Sequence, residues 1–527
     1  MLFFGRAMAF SSIASRMNQC IDATGGSMGL FKRKVFIANW LGLRPAGWAK
    51  LARQELGNSC APSAAGRESQ RMQLGRYRAL LIAMSLLAAT SALAQVVFDV
   101  NDTGDDIDAN VLDGKCETPL PAKTCTLRAA VMQANRIPNA GATINVPAGT
   151  YKLTIPASIS DGEENGDLDL IIPVGYAPGP TTITGAGSGV TIVDGQGQTR
   201  ILHVGAGRAA FISGIALING SASDAGGGIY NDGMLHLTHS LLMHNAANYD
   251  GGGIYSPSSG GTVDIDFSVF SLNSAEQGGA IYAGAGTTSL AHSTLDSNSA
   301  SQGGGIYSLA TVKVDRSTLS RNTADYGGAL KSNGSLVVTN STISQNHGNV
   351  AGGGIYSVGP TSIYNSTIAY NQTYSDTADE EVGGAGVNVV AVSTFDAHNS
   401  ILAGNFLVID GSYNDCSGYV GFYGKSGFEG GTRCFTRFGS PGFAIPVDST
   451  NELGVLTNNG GPTETIALMP SSGMIGAGIA SECADPGGHI NTDQRGKPRP
   501  PAGRPCDIGA FEYNEVFAAG FETPPAP

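Results

Sequence analysis

The sequence predicts an all-β fold: a right-handed parallel β-helix with three short strands per coil, an N-terminal capping helix and a small C-terminal module. The first observation is a repeated Gly-Gly-x-Ile-Tyr motif, beginning with Gly226–Tyr230, whose aliphatic anchors lie 24 to 27 residues apart. A period that tolerates small insertions is typical of stacked repeats. The second is a Ser-x-Leu-x-x-Asn motif that keeps the same period, as in Ser293–Asn298. The third is a short alternating run between the two motifs, such as Val312–Val314, which indicates a strand.

Each position of the predicted coil has a physical role. The aliphatic residue of the first motif and the third residue of the second motif are expected to point inward and stack into apolar columns. The glycines permit turns or a close approach of the next coil, which a Cβ would obstruct. The asparagines tolerate left-handed turn geometry, and their amides can hydrogen-bond the next coil, so we expect an asparagine ladder.

A tyrosine follows the inward residue in five copies of the first motif, and it should face outward because side chains alternate along a strand. Stacking of the coils then predicts a ladder of rings on one face, made of Tyr230, Tyr255, Tyr282, Tyr307 and Tyr356. Aromatic rings on an acidic, Asn- and Ser-rich rod are suited to hold sugars. The alternative is a ladder that only makes the coil rigid.

The N-terminal part carries an export signal. Met72–Arg78 is basic, Ala79–Thr90 is apolar, and small residues precede Gln95, so residues 72–94 are predicted to be a signal peptide cleaved after Ala94. The apolar run is too short to span a bilayer, and no transmembrane segment is expected in the mature chain. Residues 1–71 are interpreted as an over-extended gene start or, alternatively, as a long basic leader.

Charge is distributed unevenly along the chain. Residues 1–94 carry 12 Lys and Arg against 3 Asp and Glu, whereas residues 95–527 carry 18 against 40. An acidic surface repels polyanions, so nucleic acid is excluded as a partner.

The mature chain divides into segments of different composition. We expect an N-terminal cap at 95–140, the β-helix at 141–406, an irregular segment at 407–451, a compact module at 452–513 and a tail at 514–527. The cap contains an amphipathic helix around Leu127–Ala134, which is suited to cover the open end of the solenoid.

Six cysteines lie beyond the predicted cleavage site, and an even number in an exported chain indicates disulfides. Proximity in sequence is the only basis for pairing Cys116 with Cys125, Cys416 with Cys434, and Cys483 with Cys506.

Several short segments resemble known families of exported proteins. Cys125–Ala130, followed by Gln133–Asn135, resembles the N-terminal module of bacterial CSLREA-domain proteins, although Thr126 and Ala129 depart from its usual core. Gly461–Thr463 and Cys506–Glu512 resemble the choice-of-anchor Q domain. The coils are similar to the repeats of chlamydial polymorphic outer-membrane proteins. These resemblances imply an exported, surface-associated β-helix of the pectin-lyase-like class, and they imply no defined reaction.

One acidic loop is a candidate calcium site. It supplies oxygen ligands from Asp161, Glu163, Asn165, Asp167 and Asp169, but it lacks the full EF-hand spacing. The alternative is an ordinary acidic turn, and no other cofactor is expected.

The sequence therefore favours a non-catalytic, adhesin-like scaffold that is secreted or held at the outer membrane or cell surface. Its expected partners are surface glycans or host and cell-envelope components. The alternative is a polysaccharide lyase or glycoside hydrolase. The feature that separates the two is a groove with paired carboxylates and a cation at matched heights on one face, and the sequence shows no clear example.

Overall fold

The structure is a computed structural model. It describes residues 95–138, 141–156, 163–164, 166–257, 261–374, 383–390, 393–431, 433–437, 442–483, 492–501 and 503–513. The expectations for residues 1–94 and for the tail at 514–527 lie outside the described residues. No helix within these ranges is long and apolar enough to span a membrane.

Short parallel strands wind into a right-handed solenoid with three faces, which we call faces A, B and C. Face A holds the strands that begin at the Ile of the first motif. Its strands are Leu168–Leu170, Leu202–Val204, Ile229–Asn231, Ile254–Ser256, Ile281–Ala283, Ile306–Ser308, Leu330–Ser332, Ile355–Ser357, Val387–Val389 and Arg433–Thr436.

Face B continues from face A in the same 22-stranded sheet. Its strands are Val96–Asp99, Ala142–Val146, Thr181–Gly185, Ala209–Ser213, Met234–Thr238, Thr262–Asp266, Thr287–Ala291, Thr311–Asp315, Leu336–Thr339, Thr361–Tyr364, Phe395–His398 and Cys416–Tyr423, the last of which also pairs with face A.

Face C is a separate 12-stranded sheet that contains the second motif. Its strands are Gly149–Lys152, Thr191–Asp194, Ala216–Ile218, Leu241–Met243, Val269–Ser271, Thr294–Asp296, Thr318–Ser320, Thr342–Ser344, Thr367–Ala369, Ile401–Ala403, Lys425–Phe428 and Phe443–Pro446. Short strands at the turn back to face A are Ser221–Ala222, Ala246–Ala247, Thr323–Tyr326, His347–Ala351, Gln372–Thr373 and Phe406–Leu407.

The register stacks equivalent residues of successive coils directly over one another. Ile254 pairs with Ile229 on one side and with Ile281 on the other. These isoleucines, together with Leu242 and Phe270 of face C, have no exposed surface and belong to one continuous core. The predicted fold class and its inward columns are therefore confirmed.

Glycine at the turn into face A is required by both conformation and space. Gly251 has a φ of 62°, and a Cβ there would lie 2.3 Å from the carbonyl oxygen of Ile254. At Gly279 a Cβ would lie 2.3 Å from the carbonyl oxygen of Gly304 in the next coil. A side chain at Gly251 would distort the turn within its own coil, and a side chain at Gly279 would push two coils apart.

The asparagine ladder is present and runs in one direction. The Nδ2 of Asn298 donates to the Oδ1 of Asn322 at 2.9 Å, and the backbone N–H of Asn298 donates to the same oxygen at 3.0 Å. A parallel ladder links the serines, since the backbone N–H of Ser293 donates to the Oγ of Ser317. These side chains are buried, so the two ladders satisfy the hydrogen-bonding groups of polar residues inside the solenoid.

A helix, Leu127–Ala134, lies against the first coils and is buried along its whole length. Its Arg128 is 1% exposed, forms a 2.8 Å ion pair with Asp105, and donates to the backbone oxygens of Gly166 and Asp167. The predicted capping helix is thus tied to face A by a buried guanidinium. The strand Val96–Asp99 is paired with Ala142–Val146, so the solenoid begins inside the segment expected to be only a cap.

The segment 407–451 was expected to be irregular, and this prediction is wrong. Cys416–Tyr423, Lys425–Phe428 and Phe443–Pro446 are strands in register with the preceding coils. They lack the glycine and asparagine motifs that mark the earlier coils, and for this reason the repeat pattern did not reveal them.

The C-terminal module lies along the outside of face C. It contains a short helix, Ser449–Glu452, an antiparallel pair, Leu453–Thr457 with Thr465–Leu468, and a 3-10 turn, Ala480–Glu482. Thr318 and Thr342 of face C hydrogen-bond Glu464 and Gln494 of the module. All three residues of the strand Thr342–Ser344 are therefore buried, whereas Val269, on an uncovered strand, is 40% exposed.

The cysteines form disulfides in the predicted pairs. The Cα–Cα distances are 5.1 Å for Cys116 and Cys125, 5.0 Å for Cys416 and Cys434, and 5.9 Å for Cys483 and Cys506. Each bridge closes a short loop at an end of the solenoid or in the module.

Candidate functional site

Four tyrosines of face A form a column of stacked rings, which we call the tyrosine ladder: Tyr230, Tyr255, Tyr282 and Tyr307. The first three are half-buried, whereas Tyr307 is only 7% exposed. Successive ring centroids lie 5.0, 5.1 and 5.4 Å apart, and the angle between ring planes falls from 61° to 40° to 28° along the column. The rings are therefore tilted at one end and nearly stacked at the other. Their spacing follows the spacing of the coils, because each ring stands on its own strand.

The fifth predicted tyrosine does not join this column. Lys331 occupies the equivalent position in the next coil, where it pairs in register with both Tyr307 and Tyr356. Tyr356 instead contacts Tyr326, with centroids 5.3 Å apart, and it is 5% exposed. The expectation of one five-membered ladder is corrected on this point, because one coil has lysine where the others have tyrosine.

Cations lie at both ends of the ladder. The guanidinium carbon of Arg200 lies 4.9 Å from the centroid of the Tyr230 ring. At the other end, the Nζ of Lys331 lies 5.9 Å from Tyr307, 5.2 Å from Tyr326 and 5.0 Å from Tyr356. These distances allow cation–π attraction.

A second column of residues forms a wall beside the ladder. Asp250, Gln277, Gln302 and Tyr326 pair with one another coil by coil at the turn that precedes face A. Gln302 accepts a 2.7 Å hydrogen bond from the Nζ of Lys331, and Tyr326 contacts Tyr356, so the wall faces the column of tyrosines. The two columns together bound a surface that runs along the rod.

The ladder hydroxyls remain protonated at physiological pH. Burial raises the pKa of Tyr230, Tyr255 and Tyr282, to about 12 for Tyr282, and nearby carboxylates add to the effect. A neutral phenol both donates and accepts hydrogen bonds, as sugar hydroxyls do. This chemistry suits a hydroxyl-rich ligand.

An Asp–His pair lies at the N-terminal end of the ladder. The Nδ1 of His203 is 3.0 Å from the Oδ1 of Asp169, its Nε2 is 3.9 Å from Asp232, and its ring meets the Tyr230 ring edge-on. Burial opposes protonation of His203, but the hydrogen bond and charge of Asp169 outweigh it, so the pKa is raised.

The same end contains a cation between two carboxylates. Arg200 lies 3.2 Å from Asp167 and 2.7 Å from Asp224. Burial, followed by the charge of Asp169, raises the pKa of Asp167, while Arg200 opposes the rise. Paired carboxylates and a cation therefore do meet on one face.

Sequence reasoning did not identify this group, because its members come from different coils. Asp169, His203 and Tyr230 are register partners that lie 34 and 27 residues apart. A sequence signal does exist: Asp169 and His203 occupy, in the irregular coils, the strand position that tyrosine occupies in the regular repeats.

The residues of the candidate calcium loop serve other contacts where the structure describes them. Glu163 pairs with Arg136 at 2.8 Å, Asp167 with Arg200, and Asp169 with His203. Asp161 and Asn165 lie outside the described residues. In the described part of the chain, no three His, Cys, Asp or Glu residues are placed to hold a metal ion together. Calcium binding by this loop stays a prediction.

Comparison with known proteins gives one family match and a likeness of fold. The Chlamydia polymorphic membrane protein (Chlamydia_PMP) repeat matches residues 267–284. No curated protein matches the chain. Among solved structures, the pectate lyase Pel9A is 14% identical with a TM-score of 0.42, over 80% of this chain and 98% of that chain. A PL6 alginate lyase in complex with a trisaccharide is 10% identical with a TM-score of 0.24, over 74% and 93%. The chain is thus a parallel β-helix with a coil similar to the chlamydial repeat.

Proposed function

We propose that this protein is an exported, surface-associated β-helix scaffold that binds glycans along the tyrosine ladder. The observation that carries the proposal is the unbroken column of rings from Tyr230 to Tyr307. A wall of four residues, which starts at Asp250 and ends at Tyr326, lies beside it, and a cation lies at each end. The match to a chlamydial membrane-protein repeat supports a surface location.

The geometry suits an extended glycan. Successive rungs are set by the spacing of neighbouring strands, about 4.8 Å, which is close to the length of one sugar unit in an extended chain. Phenol hydroxyls, together with the amides of Gln277 and Gln302 on the wall, repeat at that spacing. A polymer lying along the rod would therefore meet the same set of groups at each sugar.

Replacing the central rungs tests this proposal. The variants Tyr255→Ala and Tyr282→Ala should each weaken binding of a neutral glycan roughly five- to tenfold, since one aromatic contact contributes about 1 kcal/mol. Titration calorimetry measures the loss. The matched control is Tyr419→Ala, because Tyr419 is an exposed tyrosine far along the chain from the ladder. Equal affinity in the ladder variants and the wild type would contradict the proposal, provided their unfolding curves are unchanged.

A second candidate function is cleavage of polysaccharides, and the group at the N-terminal end of the ladder favours it. Asp169 accepts the hydrogen bond that orients His203, and the two form the acid–base pair. Tyr230 contacts the ring of His203, and Arg200 lies over Tyr230, so a cation lies close to the pair. Incubation with a panel of uronic-acid polymers, with and without Ca²⁺, tests this function. New unsaturated or reducing ends that disappear in His203→Ala would establish catalysis. A protein that produces no new ends from any polymer would leave the scaffold as the function.

A further inference from the structure

The chain itself places cations against the tyrosines of face A. Arg200 lies over Tyr230, and the ammonium of Lys331 lies among the rings of Tyr307, Tyr326 and Tyr356. Each cation also has an oxygen partner, Asp224 for Arg200 and Gln302 for Lys331. An aromatic ring combined with an oxygen acceptor is therefore the arrangement that holds a cation on this surface.

The same arrangement recurs halfway along the ladder, where the described residues supply no cation. Tyr255 and Tyr282 are the aromatic rings there, and Asp250 of the wall is the acceptor. Within the described ranges, the carboxylate of Asp250 has neither a hydrogen-bond partner nor an ion-pair partner, and the same holds for the hydroxyls of Tyr255 and Tyr282. This carboxylate is half-buried, so it stays open to solvent and an incoming cation can reach it.

Asp250 lies against the ladder. It occupies the same wall position as Gln302, whose side chain accepts a 2.7 Å hydrogen bond from the Nζ of Lys331 beside the rings of that coil. The charge of Asp250 contributes to the raised pKa of Tyr255, Tyr282 and Tyr307. Burial, followed by the charge of Glu276, raises the pKa of Asp250 itself. A cation bound beside Asp250 would oppose the rise in the pKa of Asp250 and the rise that the charge of Asp250 causes in the pKa of the tyrosines.

We propose that Asp250, Tyr255 and Tyr282 form a binding site for the protonated amine of an amino sugar. This inference rests on the proposed glycan binding and specifies its ligand class: a glycan with free amines, such as a deacetylated amino-sugar polymer. The ammonium would donate to Asp250 and lie over the tilted rings of Tyr255 and Tyr282, in the manner of Lys331 among its three tyrosines.

The charges around the ladder also favour a positively charged ligand. Asp224, Asp232, Asp250 and Glu276 all lie close to its rungs, and the charge of Asp224 is balanced by Arg200. Such a surface repels a polyuronate and attracts a polycation, most strongly at low salt.

The test compares three oligosaccharides of equal length: a glucosamine oligomer, its N-acetylated counterpart and an oligogalacturonate. We expect the glucosamine oligomer to bind on the order of tenfold more tightly than the acetylated one while its amines are protonated. The preference should disappear at a pH where the amines are neutral.

Variants locate the site. Asp250→Asn should abolish the preference for the free amine, so that the free-amine and acetylated oligomers bind with equal affinity. Gln277→Asp, which places a second carboxylate on the wall, should increase the preference. The matched control is Asp264→Asn, which makes the same charge change at an exposed carboxylate of face B, where Asp264 pairs with His236. Asp264→Asn should preserve the preference.

The outcomes separate this inference from the proposed function. Equal binding of the acetylated and free-amine oligomers, or tightest binding of the oligogalacturonate, overturns the amine site and leaves glycan binding intact. Absence of binding by all three oligomers overturns both. A lysine-rich peptide that binds as tightly as the glucosamine oligomer overturns the assignment to a sugar.

Discussion

At the scale of the residue, the buried asparagines are the positions with the strictest hydrogen-bonding requirements. Asn322 is fully buried, and its Oδ1 accepts from both the backbone and the amide of Asn298. Its own Nδ2 donates to the backbone oxygen of Leu295 and to Asn346. Each asparagine thus satisfies groups on two neighbouring coils.

A ladder that donates in one direction needs an acceptor at its end, and Asp415 supplies it. The Oδ1 of Asp415 accepts from both the backbone and the amide of Asn405. Burial raises the pKa of Asp415, the hydrogen bond from Asn405 opposes this rise, and the resulting pKa is about 7. The sequence predicts the ladder but not its terminator, because Asp415 lies outside the repeated motif.

Removing one asparagine tests the ladder. Asn322→Ala should lower the free energy of unfolding by about 2–4 kcal/mol, because it leaves buried donors and an acceptor unpaired on both sides. The control is Asn349→Ala, where an exposed amide bonds Asp325 and the expected cost is within about 0.5 kcal/mol. Urea unfolding measures both variants, and equal costs would show that the ladder contributes no net stability.

At the scale of the element, the repeat determines what the sequence can reveal. Alternation and period alone assign Ile254 to the inside and Tyr255 to the outside of the solenoid. The register shows the predicted stacking, and the burial of Ile254 beside the half-buried Tyr255 confirms the two sides. The coils before Ile229 carry at most a worn copy of the motif, which ends at Asn219, and those after Asn405 carry none. The strands of 416–446 and the Asp169–His203 pair were therefore not predicted. Their positions depend on contacts between coils rather than on a local pattern.

The cover on face C also could not be predicted from the repeat. Thr318, Thr342 and Thr367 look like ordinary outward residues of their strands, yet each hydrogen-bonds the C-terminal module. The module is distant in sequence, and nothing in the motif marks which coils it covers. Among the described residues, the module covers coils of face C and reaches face B at His398, which pairs with Glu482. Tyr230, Tyr255 and Tyr282 are half-buried on face A, so solvent reaches these rungs of the tyrosine ladder.

At the scale of the whole molecule, the solenoid presents a repeated surface that is suited to a repeated ligand. Each coil adds one ring to the tyrosine ladder, and the ladder ends where Lys331 replaces tyrosine. The strength of glycan binding should therefore depend on how many rungs the ligand spans.

The most direct test of this account is the affinity of the protein for a series of oligosaccharides of increasing length. Affinity should rise with each added sugar until the ligand spans the rungs from Tyr230 to Tyr307, and should then level off, because Lys331 closes the column. Calorimetric titration of the series measures this dependence. A disaccharide that binds as tightly as the longest oligomer, or a complete lack of binding across the series, would contradict the account.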